Sequence, residues 1–268
     1  MTSATAHDYA WIRSSSWFRH ALSSGYTLTL VRGVTPGDVM RVMAAEPQGT
    51  CTGVDAFLAR QDELLDGTDY WEESFISGAF TVPGADGDWT LVLQHFEGGA
   101  GMQSRFLEAL SAGGRAVVHS SNGGKPIHFF HWYEDGELRT TFEWPTARAG
   151  STPDALNTVM REVGFVLSEE EHAAETHVDT KAAVFALAER LTGVRVTEEL
   201  VRDAEYQLGH VPEEPDEDWT GIVIDITDAH GERLYKEFSR AEVDAAVERA
   251  RAEANTPTVI LGPSSPAP

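Results

Sequence analysis

Residues 26–45, YTLTLVRGVTPGDVMRVMAA, read as a strand that runs straight into a helix. Leu28, Leu30 and Arg32 fall on one face of the strand at its two-residue period. At Thr35 the pattern changes. Thr35 can cap a helix, Pro36 suits the first helical position because a missing N–H costs nothing there, and Asp38 completes a capping box. A strand and a capped helix in immediate succession set the class: sheet and helices packed together.

The same punctuation extends in both directions. Residues 9–22, with Tyr9, Ile12, Trp17, Phe18 and Leu22, form a short aromatic helical segment, and residues 54–66 a helix with Val54, Phe57, Leu58 and Leu65 inward, stopped by Gly67. Strands at Phe80 to Val82 and Trp89 to Phe96 flank the turn GADGD, and RAVVHSS at 115–121 is a further strand. The clearest hairpin is Ile127 to Trp144, with Asp135-Gly136 as a type I′ turn. An unbroken ladder then opposes residues whose numbers sum to 271. One face holds Tyr133 with Leu138, His131 with Thr140, Phe129 with Phe142 and Ile127 with Trp144, and reads as core. The other holds Glu134 with Glu137, Trp132 with Arg139, Phe130 with Thr141 and His128 with Glu143. Aromatics mixed with charges on that face make His128, Phe130, Trp132, Arg139 and Glu143 the expected binding surface.

Beyond the polar link ARAGSTP, a helix capped by Thr152 and begun by Pro153 carries Leu156, Val159, Met160 and Val163 at helical spacing. A helix over Asp179 to Leu191 turns Val184, Leu187, Ala188 and Leu191 to one side and closes at Gly193, and another starts at Thr197. After the acidic loop at 210–218 come strand 221–227, strand 233–238 and a helix from Ser239, where Glu242 repeats the capping box. The expected fold is α+β: an antiparallel or mixed sheet packed by helices, with a helical and α+β C-terminal region. The expected division is a sheet domain over 1–150, a second region over 151–261 that can pack onto the first, and a disordered tail over 262–268.

Composition excludes several function classes. The 43 acidic against 20 basic residues give a net charge of −23, which disfavours direct binding to a nucleic-acid backbone. The excess is uneven, with 18 acids to 10 bases in residues 1–150 and 25 to 10 in residues 151–268. Cys51 stands alone, so neither an intramolecular disulfide framework nor a cysteine zinc site is available. No apolar run is long enough for a membrane span, and a cytoplasmic location is expected. Gly98, Gly99 and Gly101 lack the spacing and the following lysine of a phosphate loop. His172 and Glu175, with Glu171 and His177 near, fit an exposed charged helix start better than a metal site; no metal and no cofactor is expected. No G-x-S-x-G occurs. Arg32 reads as holding its strand end through a salt bridge or carbonyl, with an anion site as the alternative.

The segments TLVRGVTPGDVMRVMAA, DWTLVLQ, RFLEALSAGGRAV and ALAERLTGVRVTEEL together resemble an uncharacterised actinobacterial family of unknown function, over about residues 9–207. That resemblance implies no activity. The expected function is therefore a non-enzymatic cytoplasmic binding protein, immunity-like, adaptor or regulatory. It would engage a protein partner through the hairpin face or the acidic C-terminal half. The alternatives are a hydrolase-type enzyme assembled from distant segments, with His128 and Glu143 or the His172 cluster, and an acidic nucleic-acid mimic. The oligomeric state is left open.

Overall fold

A computed structural model describes residues 3–15, 18, 21, 25–65, 74–95, 103–124, 127, 129–168, 179–212, 221–227 and 232–254. The chain divides into two units, residues 1–214 and 215–268. The expectations for Trp17, Leu22, Gly67, the 98–101 glycines, His128, the 171–177 cluster and the 262–268 tail lie outside the described residues.

In the first unit, nine described strands form one antiparallel sheet in the order β2-β9-β3-β4-β1-β5-β6-β7-β8. They are β1 (Tyr26–Arg32), β2 (Glu46–Thr52), β3 (Phe75–Gly84), β4 (Gly87–His95), β5 (Arg115–Ser121), β6 (Phe129–Glu134), β7 (Glu137–Trp144), β8 (Ala147–Ala149) and β9 (Glu205–Val211). The opening stretch supplies the central strand and its neighbouring helix α1 (Pro36–Val42), where Asp38 N–H donates to Thr35 Oγ1 at 3.2 Å.

Helices cover both faces. On one face α1 and α3 (Ser104–Ser111) bury Val39, Met40, Met43, Phe106, Leu107 and Leu110 against Val31, Val92 and Val118. On the other lie a 3-10 helix (Ala6–Arg13), α2 (Val54–Leu65), α4 (Asn157–Val163), α5 (Thr180–Thr192) and α6 (Glu198–Asp203), over Leu28, Leu30, Leu91, Leu93 and Val117. Coverage from both sides explains why β1 buries six of its seven residues. Each leucine so buried contributes roughly 1.5–3 kcal/mol.

Helix α5 is enclosed more fully than its apolar stripe predicted: Ala182 through Glu189 are all buried, and Leu191 is not. Its alanines let it sit close to the 3-10 helix, α4 and β5. The boundary expected after residue 150 separates no bodies, because β9 pairs with both β2 and β3 inside the sheet. The division falls after Glu214 instead. The second unit is β10 (Gly221–Thr227), β11 (Arg233–Ser239) and α7 (Arg240–Ala254), in which Ser239 N–H and Oγ both donate to Glu242 Oε2 at 2.8 Å.

Candidate functional site

The hairpin β6–β7 forms as expected at its turn, with Asp135 and Gly136 both at positive φ and Glu134 opposite Glu137. One step further the ladder shifts. Tyr133 faces Leu138, but Trp132 faces Thr140, His131 faces Thr141 and Phe130 faces Phe142, so Arg139 is an extra residue in a bulge. The shift moves every later side chain on β7 to the opposite face relative to the unbroken register.

The cause lies in the segment read as a link and a helix start. The Arg139 carbonyl accepts from Thr152 N–H at 2.8 Å and from Thr152 Oγ1 at 3.2 Å. Gly150 passes so close that a Cβ there would meet the Arg139 oxygen at 2.5 Å. Thr152 thus holds the bulge instead of capping a helix, and α4 starts only at Asn157.

The bulge separates the residues of the expected binding surface: Phe130 and Trp132 share a face with Phe142 and Thr140, and Glu143 lies on the other. Phe130 is fully buried and stacks on Phe142 with centroids 4.9 Å apart. Trp132 is half-buried against the same core, with the Arg115 guanidinium 5.8 Å from its ring. Arg115 itself pairs with Glu134 at 2.6 Å and donates to the Leu191 carbonyl at 2.9 Å. Arg139 pairs with Glu137 at 2.9 Å. The opposition of Glu143 to His128 rested on the register that the bulge breaks, and His128 is outside the described residues.

Two buried polar groups escaped sequence reasoning. Beneath α1 and α3, Thr27 lies opposite both Gln94 and Ser120, and Gln94 Nε2 donates to Ser77 Oγ at 2.8 Å. These four side chains, from four neighbouring strands, are each at most 3% exposed. The depression beside them, lined by Thr29, Val39, Met43, Val92, Gln94, Leu107 and Leu110, is no larger than one water molecule. The threonines alternating with leucines in the opening stretch were its only signal.

On the opposite face, Tyr26 and His119 share a hydrogen bond of 3.0 Å between the hydroxyl and Nδ1. His119 is fully buried, edge-on to Phe185 at 4.5 Å, and burial pushes its pKa down to about 3. It is therefore neutral at physiological pH. Nearby, Arg13 grips Asp179 through two hydrogen bonds of 2.6 and 2.9 Å, while Asp179 caps α5 at Lys181 and Ala182. At the far end of α5 the buried Glu189 accepts from the Tyr9 hydroxyl at 2.8 Å. Burial, reinforced by Glu189, pushes the Tyr9 pKa up.

The remaining candidates resolve simply. Arg32 donates to the Asp86 carbonyl at 3.3 Å, the structural reading. Cys51 lies in β2, half-buried, and burial raises its thiol pKa. Among the described residues no group of three or more His, Cys, Asp or Glu is placed to hold a metal, and no helix is long and apolar enough to cross a membrane.

The second unit is different in kind. Ile222, Val223, Ile226, Leu234 and Tyr235 are 44–60% exposed, and none of its described residues is fully buried. By register Ile222 pairs with Phe238, Ile224 with Lys236 and Ile226 with Leu234, so the isoleucines share one face.

A family model described as a family of unknown function, DUF6461, matches residues 2–216. The chain belongs to this family. The DUF6461 segment takes in the whole nine-stranded sheet and its helices, while β10, β11 and α7 lie beyond it. Neither the curated proteins nor the solved structures contain a match to the chain.

Proposed function

We propose that this DUF6461 protein is a non-enzymatic cytoplasmic binding protein that engages a protein partner through its C-terminal unit. The observation that carries the reading is the contrast in apolar exposure. Among the described residues, the first unit exposes one large hydrophobic, Trp144, whereas β10 and β11 display five. Three of these, Ile222, Ile226 and Leu234, share one sheet face, and an exposed apolar cluster of this kind marks an interaction site. Of the hairpin surface, Trp132 and Arg139 keep partial exposure and form a secondary contact region in the same reading; Phe130 is buried, and the bulge turns Glu143 to the face opposite Trp132.

Affinity capture from native lysate, comparing the wild-type chain with Ile226→Lys, Leu234→Lys, tests it. A stoichiometric protein present with the first bait and lost with the second supports the reading. An unchanged set of captured proteins sinks it. A parallel Trp132→Ala, Arg139→Ala bait reports on the hairpin region separately.

A further inference from the structure

The two sheets treat their edges in opposite ways. The nine-stranded sheet ends at β2, which carries Pro47 and a bulge between Pro47 and Thr50, and at β8, which is only three residues long. Proline, bulges and brevity are the usual means of preventing edge-to-edge pairing. The sheet of β10 and β11 has two strands of seven residues in unbroken register, and β10, GIVIDIT, contains neither proline nor lysine. A two-stranded sheet is marginal alone and needs further strands or a packed helix; α7 packs against both β10 and β11 but leaves Ile222, Ile226 and Leu234 exposed.

We propose that the edge of β10 that has no strand beside it among the described residues pairs antiparallel with β10 of a second copy of this chain, joining the two hairpins into one four-stranded sheet. This rests on the reading of the C-terminal unit as a protein-binding surface and names its partner. The sequence of β10 is self-complementary about Ile224. A two-fold axis there sets Ile222 against Ile226 of the second copy and Ile224 against its counterpart, so the isoleucine faces become continuous. A shift of one residue would instead oppose isoleucines to Val223 and Asp225, which lie on the other face.

Charge favours the same arrangement. Asp225 falls opposite Val223 of the second copy and not opposite another aspartate, and Arg233 already neutralises it through two bonds of 2.6 Å. The other edge is poorer. Two-fold pairing of β11 about Lys236 opposes like charges, and pairing about Tyr235 sets Leu234 against Lys236 and Arg233, which already holds Asp225, against Glu237.

The test is a cysteine trap in the full-length chain. In a Cys51→Ser background, Ile224→Cys should form a disulfide-linked dimer under mild oxidation, because facing Cα atoms in such a pair lie about 4.5–5.5 Å apart. Ile222→Cys alone should not, whereas Ile222→Cys with Ile226→Cys should. Light scattering on the unsubstituted chain should give a dimer, reduced to monomer by Val223→Lys, Ile226→Lys, with far-UV circular dichroism confirming the fold of each variant. A monomeric unsubstituted chain, or a dimer in which Ile224→Cys does not cross-link, overturns the proposal. If the chain is monomeric and Ile226→Lys, Leu234→Lys still loses a captured protein, the binding reading stands and only the second-copy assignment fails.

Discussion

At the level of single residues, His119 and Asp179 of the first unit both contribute to the acid response. His119 has its pKa lowered from 6.5 to about 3 by burial, so the unfolded chain takes up a proton at a pH where the folded chain does not. Stability from this source is complete above pH 6.5 and is lost as pH falls from there toward about 3, at roughly 1.4 kcal/mol per pH unit. His119→Phe should flatten that slope in melting temperatures measured between pH 7.5 and 4. The same change should cost about 1–3 kcal/mol at neutral pH, because Tyr26 is left without its partner. Equal slopes in the two proteins would show that His119 is not the titrating group. Asp179 acts in a lower window. Burial opposes its charged form, but Arg13 and the α5 backbone N–H groups outweigh that and hold its pKa below 3.8, so its contribution is lost only as pH falls below 3.8. Asp179→Ala removes a cap and an ion pair together, and a loss of about 1–2 kcal/mol in urea unfolding at pH 7 is expected.

At the level of elements, local chemistry was legible at most positions where one residue type decides the backbone, Thr152 excepted. The Thr35, Asp179, Thr197 and Ser239 helix starts and the Asp135-Gly136 turn all stand where capping and turn chemistry put them. The bulge at Arg139 was not legible, since it is held by Thr152, thirteen residues away in sequence. Strands β2 and β9 were also missed. EPQGTCT has a proline and a glycine where a strand pattern needs apolar alternation, and EYQLGHV holds a glycine under a helix. A Cβ at Gly209 would meet Met40 Sδ at 2.6 Å. Glycine at 78 has the same kind of reason, as Phe57 from α2 and Tyr206 from β9 stack above it at 5.5 Å. A Cβ there would lie 2.8 Å from the Tyr206 ring and 3.1 Å from Phe57. Gly78→Ala should destabilise by about 1–3 kcal/mol in chemical denaturation, and a neutral result would mean the rings can part.

For the whole molecule, the two units differ in how they hold themselves together. Residues 1–214 contain both helix-covered faces of the large sheet, and this fragment should unfold cooperatively at a melting temperature independent of protein concentration. The full-length chain should show transitions that rise with concentration, because pairing through β10 is linked to mass action. Calorimetry over a wide concentration range checks both. The sequence by itself determined the α+β class, the helix starts at Thr35, Asp179, Thr197 and Ser239, the tight turns and the acidic balance, since each follows from short-range stereochemistry or from composition. The tertiary structure alone decided that β9 returns into the first sheet, that the hairpin slips by one residue, that Phe130 is core and that Tyr26 meets His119. Those outcomes depend on contacts between residues far apart in the chain, where burial on both faces overrides local propensity and a single distant hydrogen-bonding residue can reverse which side of a strand meets solvent.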